Sequence, residues 1–392
     1  MRFQDNPELA EWRNTVRGFV DENWRIAGKK DEDDPGFEGT GDENRTTTWL
    51  DKLGARGWLA PAWPKKYGGA DMSVLEQFVL SQELHEAGAP VSRQMLNLVG
   101  PTIMLHGTEE QKAEHLPPML RGEVAWCQGF SEPGSGSDLA SLQTRAVRDG
   151  DDYVINGQKI WTSGAHRADW MFILTRTDPD APKHRGISYL LLNMKSPGVT
   201  VRPLINMANG HVFNEVFFED VRVPAANLVG EENRGWYAAT TTLDFERSGI
   251  ERNFVAEEDL NRIYQALQGA RLELRETGDG NARRHRLVSL RVEVEVGRWL
   301  ARRVAWLQTR GMVPNAEASM SKGFNSEVGQ RVSEFGANVF GLAGQLLDGE
   351  RAAAGGAAAF RYLDARRLTV GQGTAEIQRN VIATRGLGLP RG

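Results

Sequence analysis

GFSEPGSGSD, residues 129–138, is the stretch from which the rest of this chain can be read. It runs from an apolar residue through a hydroxyl, a carboxylate and a proline into small residues that end in Gly-Ser-Asp. Glycines let a backbone approach a ligand closely and aim successive N–H groups at one cluster of oxygens. The hydroxyls of Ser131, Ser135 and Ser137 add donors that suit a phosphate or a polar ring edge. Taken alone, the stretch also fits a serine-rich surface turn. Its surroundings separate the two readings.

Short runs rich in β-branched and aromatic residues lie on either side of it. They are AWCQGF (125–130), LQTRAV (142–147), DYVI (152–155), KIWTS (159–163), WMFILT (170–175), ISYLLLN (187–193) and EVFFEDVRV (215–223). Asn156-Gly157 between two of these runs predicts a type I′ hairpin. No segment of helical length and period interrupts them, so the spacing predicts an antiparallel β domain rather than a βαβ fold.

Before this region the pattern is helical. Apolar positions recur at near-helical spacing over 5–28, 47–54, 73–85 and 93–106. Thr108 and Gln111 have the spacing of a capping box opening a further short helix, and Pro117-Pro118 is expected to end it. The acidic run DEDDPGFEGTGDENR (31–45) reads as a solvated loop. After Gly235, long amphipathic segments cover 236–275, 282–311, 315–346 and 374–384, with breaks at 276–281 and at the Ala/Gly run 352–359. The fold class is therefore mainly α with a central antiparallel β domain, in three parts: 1–122 helical, 123–234 β, and 235–392 a bundle of long helices.

Bulk properties exclude several function classes. The 392 residues carry a net charge of −5, which argues against a nucleic-acid partner. A single cysteine, Cys127, excludes an internal disulfide framework and reads as a small buried hydrophobe. The first residues lack the plan of a signal peptide and no apolar run is long enough for a membrane span, so a cytoplasmic location is expected. No GxxxxGK[ST] or GxSxG motif occurs, and Gly134-Ser-Gly136 lacks the third glycine of a dinucleotide fingerprint. The seven histidines are scattered without metal-ligand spacing, so no metal is expected.

The combination that remains is specific. GFSEPGSGSDLAS (129–141), INGQKIWTSGAHRADW (155–170) and GTAEIQRN (373–380) together resemble the signatures of the acyl-CoA dehydrogenase family. The resemblance covers nearly the whole chain, and the helix–sheet–helix order is that family's order. It implies bound FAD. Phe130 and Ser131 match residues at the pyrimidine side of the flavin, and Gly136 and Ser137 match the pyrophosphate and acyl-CoA entrance. Trp161 matches the tryptophan beside the isoalloxazine, with Thr162 and Ser163 at the flavin's polar edge. Thr374 and Glu376 match positions that reach FAD in relatives.

The implied reaction removes a proton from the carbon α to a thioester while a hydride leaves the β carbon. Many relatives carry the base in a YEGT motif, but residues 371–374 here read GQGT, and neutral Gln372 cannot take a proton. Its backbone N–H still suits the thioester oxygen. Isovaleryl-CoA dehydrogenases place the base instead in an LDLER context. LDFER at 243–247 puts Glu246 there as the catalytic base, with Asp244 and Arg247 near the CoA entrance and Phe245 and Met104 setting pocket depth. The Arg-x-x-Phe-Gly run through which relatives reach a neighbouring subunit's FAD is missing from 278–289, as in bacterial steroid side-chain dehydrogenases, and FGLAGQ (340–345) matches the family's glycine motif loosely. The resemblance further implies an electron-transfer flavoprotein as acceptor and a homodimer, homotetramer or heterotetramer. Two alternatives stay open: an oxidase or monooxygenase on the same scaffold, and a non-catalytic partner subunit.

Overall fold

The computed structural model describes residues 6–25, 43–90, 95–247, 252–269 and 279–390. Among these the elements run α1 (Pro7–Val20), α2 (Glu43–Ala55), α3 (Val74–Glu86), α4 (Leu96–His106) and α5 (Glu109–Arg121). The strands follow as β1 (Trp126–Gly129), β2 (Arg145–Asp149), β3 (Asp152–Lys159), β4 (Trp170–Arg176), β5 (Ile187–Asn193), β6 (Val199–Leu204) and β7 (Phe213–Pro224). The chain then returns to helix with α6 (Gly235–Arg247), α7 (Arg252–Gly269), α8 (Asp279–Gln308), α9 (Asn315–Val339), α10 (Ala357–Asp364) and α11 (Ala375–Val381). They form two compact units, one from 53–71 and 92–246, the other from 1–52, 72–91 and 247–392.

The first unit is built on the sheet, whose strand order is β1-β4-β2-β3-β7-β6, with β5 also pairing with β4 off this path. Most pairs are antiparallel as expected, but β1 runs parallel to β4, Trp126 opposite Trp170 through Gly129 opposite Ile173. The sheet is thus mixed. β4 and β5 are buried along nearly their whole length and are rich in large apolar residues, because both their faces are covered. One face carries Cys127, Tyr153, Ile155, Met171, Ile173, Leu190, Val216 and Phe218 in a closed core. On that face Cys127 is fully buried, and burial pushes its thiol well above the usual range.

The hairpin expected at Asn156-Gly157 does not form. The β2–β3 turn lies at Gly150-Asp151, with Gly150 at φ 61° and Asp149 paired with Asp152. Gly157 sits inside β3, where the register against β7 slips between Ile155 and Gly157. At φ 149° a side chain there would place its Cβ 2.7 Å from the Thr144 Cα. The glycine is needed for this close approach and not for a turn. Gly157→Ala is expected to cost about 2–3 kcal/mol, read by urea denaturation; unchanged stability would refute this account of the close approach. KIWTS is correspondingly strand only as far as Lys159. The sequence reading also passes over β6, which tolerates Pro203 because it is an edge strand.

In the same unit the capping box of α5 forms as expected, with Thr108 Oγ1 accepting from Gln111 N at 3.2 Å and Gln111 Oε1 accepting from Thr108 N at 3.1 Å. Pro117 and Pro118 do not end this helix. It runs on to Arg121 and stops at Gly122, φ 70°, where Glu123 N bonds Pro118 O at 2.9 Å and Gly122 N bonds Met119 O at 3.1 Å. This is a Schellman ending, and the glycine supplies the left-handed residue it requires.

The second unit is helical. Ala256, Leu260, Ile263 and Leu267 of α7 pack with Leu290 and Val294 of α8 and with Val328, Val332, Phe335 and Val339 of α9. Phe78 of α3 packs on Ala301 and Ala305 of α8. Two helices, α6 and α7, occupy the span read as one segment over 236–275, and α9 stops at Val339 rather than 346. The Ala/Gly run 352–359, read as a break in the helices formed by a loop or a frayed helix end, provides a short 3₁₀ turn and the first turn of α10. Among the described residues no helix is long and apolar enough to cross a membrane.

Candidate active site

The loop that follows β1 is anchored by one buried ion pair. Lys159 is fully buried and its Nζ lies 2.8 Å from Glu132 Oε1 and 2.9 Å from the Phe130 carbonyl. Glu132 also accepts from Gln143 N at 2.6 Å and Thr144 N at 2.9 Å. Burial works to push the Glu132 carboxyl up, but Lys159 and these donors outweigh it and hold the carboxyl below its usual range. Burial pulls the Lys159 ammonium down to about 8 against the attraction of Glu132, so both groups are charged at neutral pH. Sequence reasoning missed both residues. A lysine alternating with apolar residues on a strand carries no mark of burial.

This clamp fixes the walls of the loop and leaves its tip open. Phe130 is buried edge-on against Phe172 and Tyr189, at 5.6 and 6.2 Å between ring centroids. Ser131 is half-buried, and its carbonyl accepts from Ile160 N at 2.9 Å. Ser135 is buried and already bonded to the Asp138 carbonyl at 2.9 Å, so its hydroxyl shapes the turn rather than serving as a free donor. Gly136 and Ser137 are exposed. A Cβ added at Gly134 or Gly136 would meet nothing within 4 Å, and neither has a positive φ. The fold itself therefore does not demand glycine at either place, which fits a loop kept bare for a ligand. A depression of about 310 Å³ borders this loop, lined by Glu132, Gly134, Gln143, Gly157 and Gln158 among others.

The Ile160–Ser131 bond brings residues 161–163 alongside. Trp161 has φ 60°, a conformation that costs a bulky residue about 1–3 kcal/mol. It is also 56% exposed, edge-on to Phe213 at 5.8 Å. A strained, exposed indole has no packing role that would account for its strain. Thr162 beside it is 1% exposed, and its hydroxyl has no hydrogen-bond partner among the described residues. A buried hydroxyl without a partner is costly unless a ligand completes it. Ser163 is half-buried next to it. Open glycines, an exposed indole and a waiting hydroxyl together suit a flat, polar-edged ring system such as flavin.

Also in the sheet unit, Thr102 and Thr242 share a hydrogen bond of 2.7 Å, and His106 Nε2 lies 2.9 Å from Thr241 Oγ1. These contacts tie α4, which carries the half-buried Met104, to α6. Asp244, Glu246 and Arg247 lie in the last turn of α6; their side chains, with that of Phe245, fall outside the described residues. In the helical unit, Gln372 is exposed at φ 61° and Gly373 follows at φ 84°. Lys322 Nζ holds the Gly373 carbonyl at 2.7 Å. Thr374 caps α11, accepting from Ile377 N at 3.2 Å. The exposed Glu376 is held below the usual carboxylate range by its own backbone N–H and by Thr374. Two of the scattered histidines, His166 and His211, come together at 4.1 Å between ring centroids, which no sequence spacing indicated. No group of three metal-ligating side chains forms among the described residues.

Models of the acyl-CoA dehydrogenase N-terminal, middle and C-terminal domains match residues 6–123, 127–221 and 233–387. The chain is 34% identical to acyl-CoA dehydrogenase FadE29 of Mycobacterium tuberculosis over 97% of its own length and 96% of that protein's. It is 41% identical to acyl-CoA dehydrogenase FadE34 of the same organism over 86% of its length, but spans only 46% of that longer protein. Among solved structures, the Tcur3481-Tcur3483 steroid ACAD superimposes with a TM-score of 0.84 at 34% identity, with both chains fully covered. Three matched domains in order and whole-length relatives agree: the chain belongs to the acyl-CoA dehydrogenase family, whose cofactor is FAD.

Proposed function

We propose that this chain dehydrogenates the Cα–Cβ bond of an acyl-CoA thioester to the 2-enoyl-CoA, with Glu246 as the base. The observation that carries the reading is the Thr162 hydroxyl, buried and unpartnered beside the strained, exposed Trp161. When bound, FAD supplies the acceptor for the hydride leaving the β carbon. The chain supplies the rest. Glu246 takes the α proton, which needs a positioned carboxylate because a carbon acid is weak. The Gln372 backbone N–H donates to the thioester oxygen, where negative charge develops. Ser131, Thr162 and Ser163 donate to the polar edge of the flavin. The Trp161 face keeps water from the reacting carbons. Gly136 and Ser137 receive the phosphate end of the ligands; the family pattern assigns Asp244 and Arg247 to the CoA entrance and Thr374 and Glu376 to cofactor contact.

We further propose a bulky, steroid-type acyl group, an electron-transfer flavoprotein as acceptor, and assembly with a second copy or a related chain. The support is the likeness to a steroid ACAD whose name joins two chains. Anaerobic mixing of the purified yellow protein with short, branched, aromatic and steroidal acyl-CoA thioesters tests this. Flavin bleaching by the steroidal thioester first is the expected result. Bleaching by none of them ends the reading, and peroxide formed in step with substrate loss in air replaces it with an oxidase.

A further inference from the structure

We propose that Asn214 is a positioning residue that holds the turn of residues 161–163 in its flavin-receiving shape, an inference that rests on reading that turn as the flavin contact. A left-handed tryptophan does not hold itself in place, so something must over-determine the turn. Three backbone bonds bracket it: Ile160 N to Ser131 O at 2.9 Å, Thr162 N to Asn214 O at 3.0 Å, and Gly164 N to Val212 O at 2.9 Å. Asn214 adds a fourth from its side chain. Its Nδ2 donates to the Thr162 carbonyl at 3.0 Å, and the residue is fully buried. Both backbone polar groups of Thr162 are thus satisfied by one residue, and the direction of the unpartnered Thr162 hydroxyl follows from that grip.

The histidine pair keeps the amide oriented. Because the Thr162 carbonyl must face an N–H, Nδ2 points there and Oδ1 points to His211, whose Nε2 donates at 2.9 Å. His166 Nδ1, 3.2 Å from the same Nδ2, must then be an acceptor, which makes that ring neutral with its proton on Nε2. Burial, with the neighbouring His211 and Arg167, lowers the His166 pKa and keeps the ring in this form. Each ring therefore has a defined job toward one amide. Only asparagine fits the position: aspartate offers no N–H to Thr162, while serine and alanine are too short.

The test compares Asn214→Ala and Asn214→Asp with the wild type in FAD titrations of the apoprotein at pH 8, followed by fluorescence. The fold is checked by circular dichroism and flavin packing by the shoulder on the long-wavelength absorption band. Both variants are expected to bind FAD about tenfold or more weakly and to lose the shoulder. Aspartate can still accept from His211, so a role limited to tethering that ring would be rescued by Asn214→Asp. Wild-type affinity and spectrum in that variant would overturn the proposal. Should either variant fail to fold, His166→Leu with His211→Leu leaves Asn214 in place and removes its side support. That pair is expected to weaken FAD by about threefold, and an unchanged affinity would equally overturn the proposal. Failure of the wild-type apoprotein to take up FAD would instead remove the underlying reading of the turn, an outcome distinct from wild-type binding that the Asn214 variants share.

Discussion

Glu246→Gln is expected to leave a yellow, fully loaded protein that turns over acyl-CoA roughly a thousandfold more slowly. Glutamine preserves the size of the side chain and its place on α6, so folding and FAD content should not change. It removes the only basic group that the proposed reaction needs to accept the α proton, because a neutral amide is far too weak a base. In many relatives a glutamate occupies the position held here by Gln372, so the two positions make opposite predictions. Gln372→Ala removes only a side chain, while the backbone N–H assigned to the thioester oxygen stays. That variant is expected to keep activity within about tenfold. Dye-reduction rates and stopped-flow flavin bleaching read both variants. Full turnover by Glu246→Gln, or loss of turnover by Gln372→Ala with Glu246 intact, would show that the base lies elsewhere.

What the sequence made legible was whatever depends on local chemistry. The capping box at Thr108 and Gln111 needs only four residues to be recognised, and it formed as read. The strand read as ISYLLLN is Ile187–Asn193 residue for residue, since a run buried on both faces carries a strong apolar signal. Misreadings arose where a local signal was overruled by a distant partner. Asn156-Gly157 has the dipeptide of a hairpin, but the fold keeps Gly157 inside β3, packed against Thr144, beside a register shift whose extra residue lies on β7. Pro117 and Pro118 have the chemistry of a helix stop, yet Gly122 ends α5 because it alone supplies the left-handed cap.

Residues of the candidate site divide in the same way. Trp161, Thr162 and Ser163 were found through a contiguous motif. Asn214, Lys159 and the paired histidines were not, because their meaning comes from partners 27 to 52 positions away. A long-range hydrogen bond leaves no periodicity in a single sequence. The Ser135 hydroxyl shows the converse: it sits in the motif, and the fold consumes it internally.

The buried pair beneath that motif predicts the largest stability effect. Lys159→Met leaves Glu132 charged, buried and without its cation, and is expected to destabilise the protein by about 3–5 kcal/mol at pH 7. Removing Lys159 also frees the Phe130 carbonyl, so flavin affinity should fall together with stability. The double variant Glu132→Gln with Lys159→Met leaves no buried charge at either position and should recover most of the loss, because a buried pair gives back in attraction roughly what its desolvation costs. The pH dependence has a defined sign. Glu132 has a folded-state pKa below its unfolded value, so its contribution is present above the unfolded value and is lost as pH falls through the folded one. Wild type and Glu132→Gln should therefore differ most near neutral pH and converge in acid. Urea denaturation at a series of pH values reads this directly. If Lys159→Met matches wild type at pH 7, the pair does not anchor the loop, and the shape of residues 129–138 must come from the strands alone.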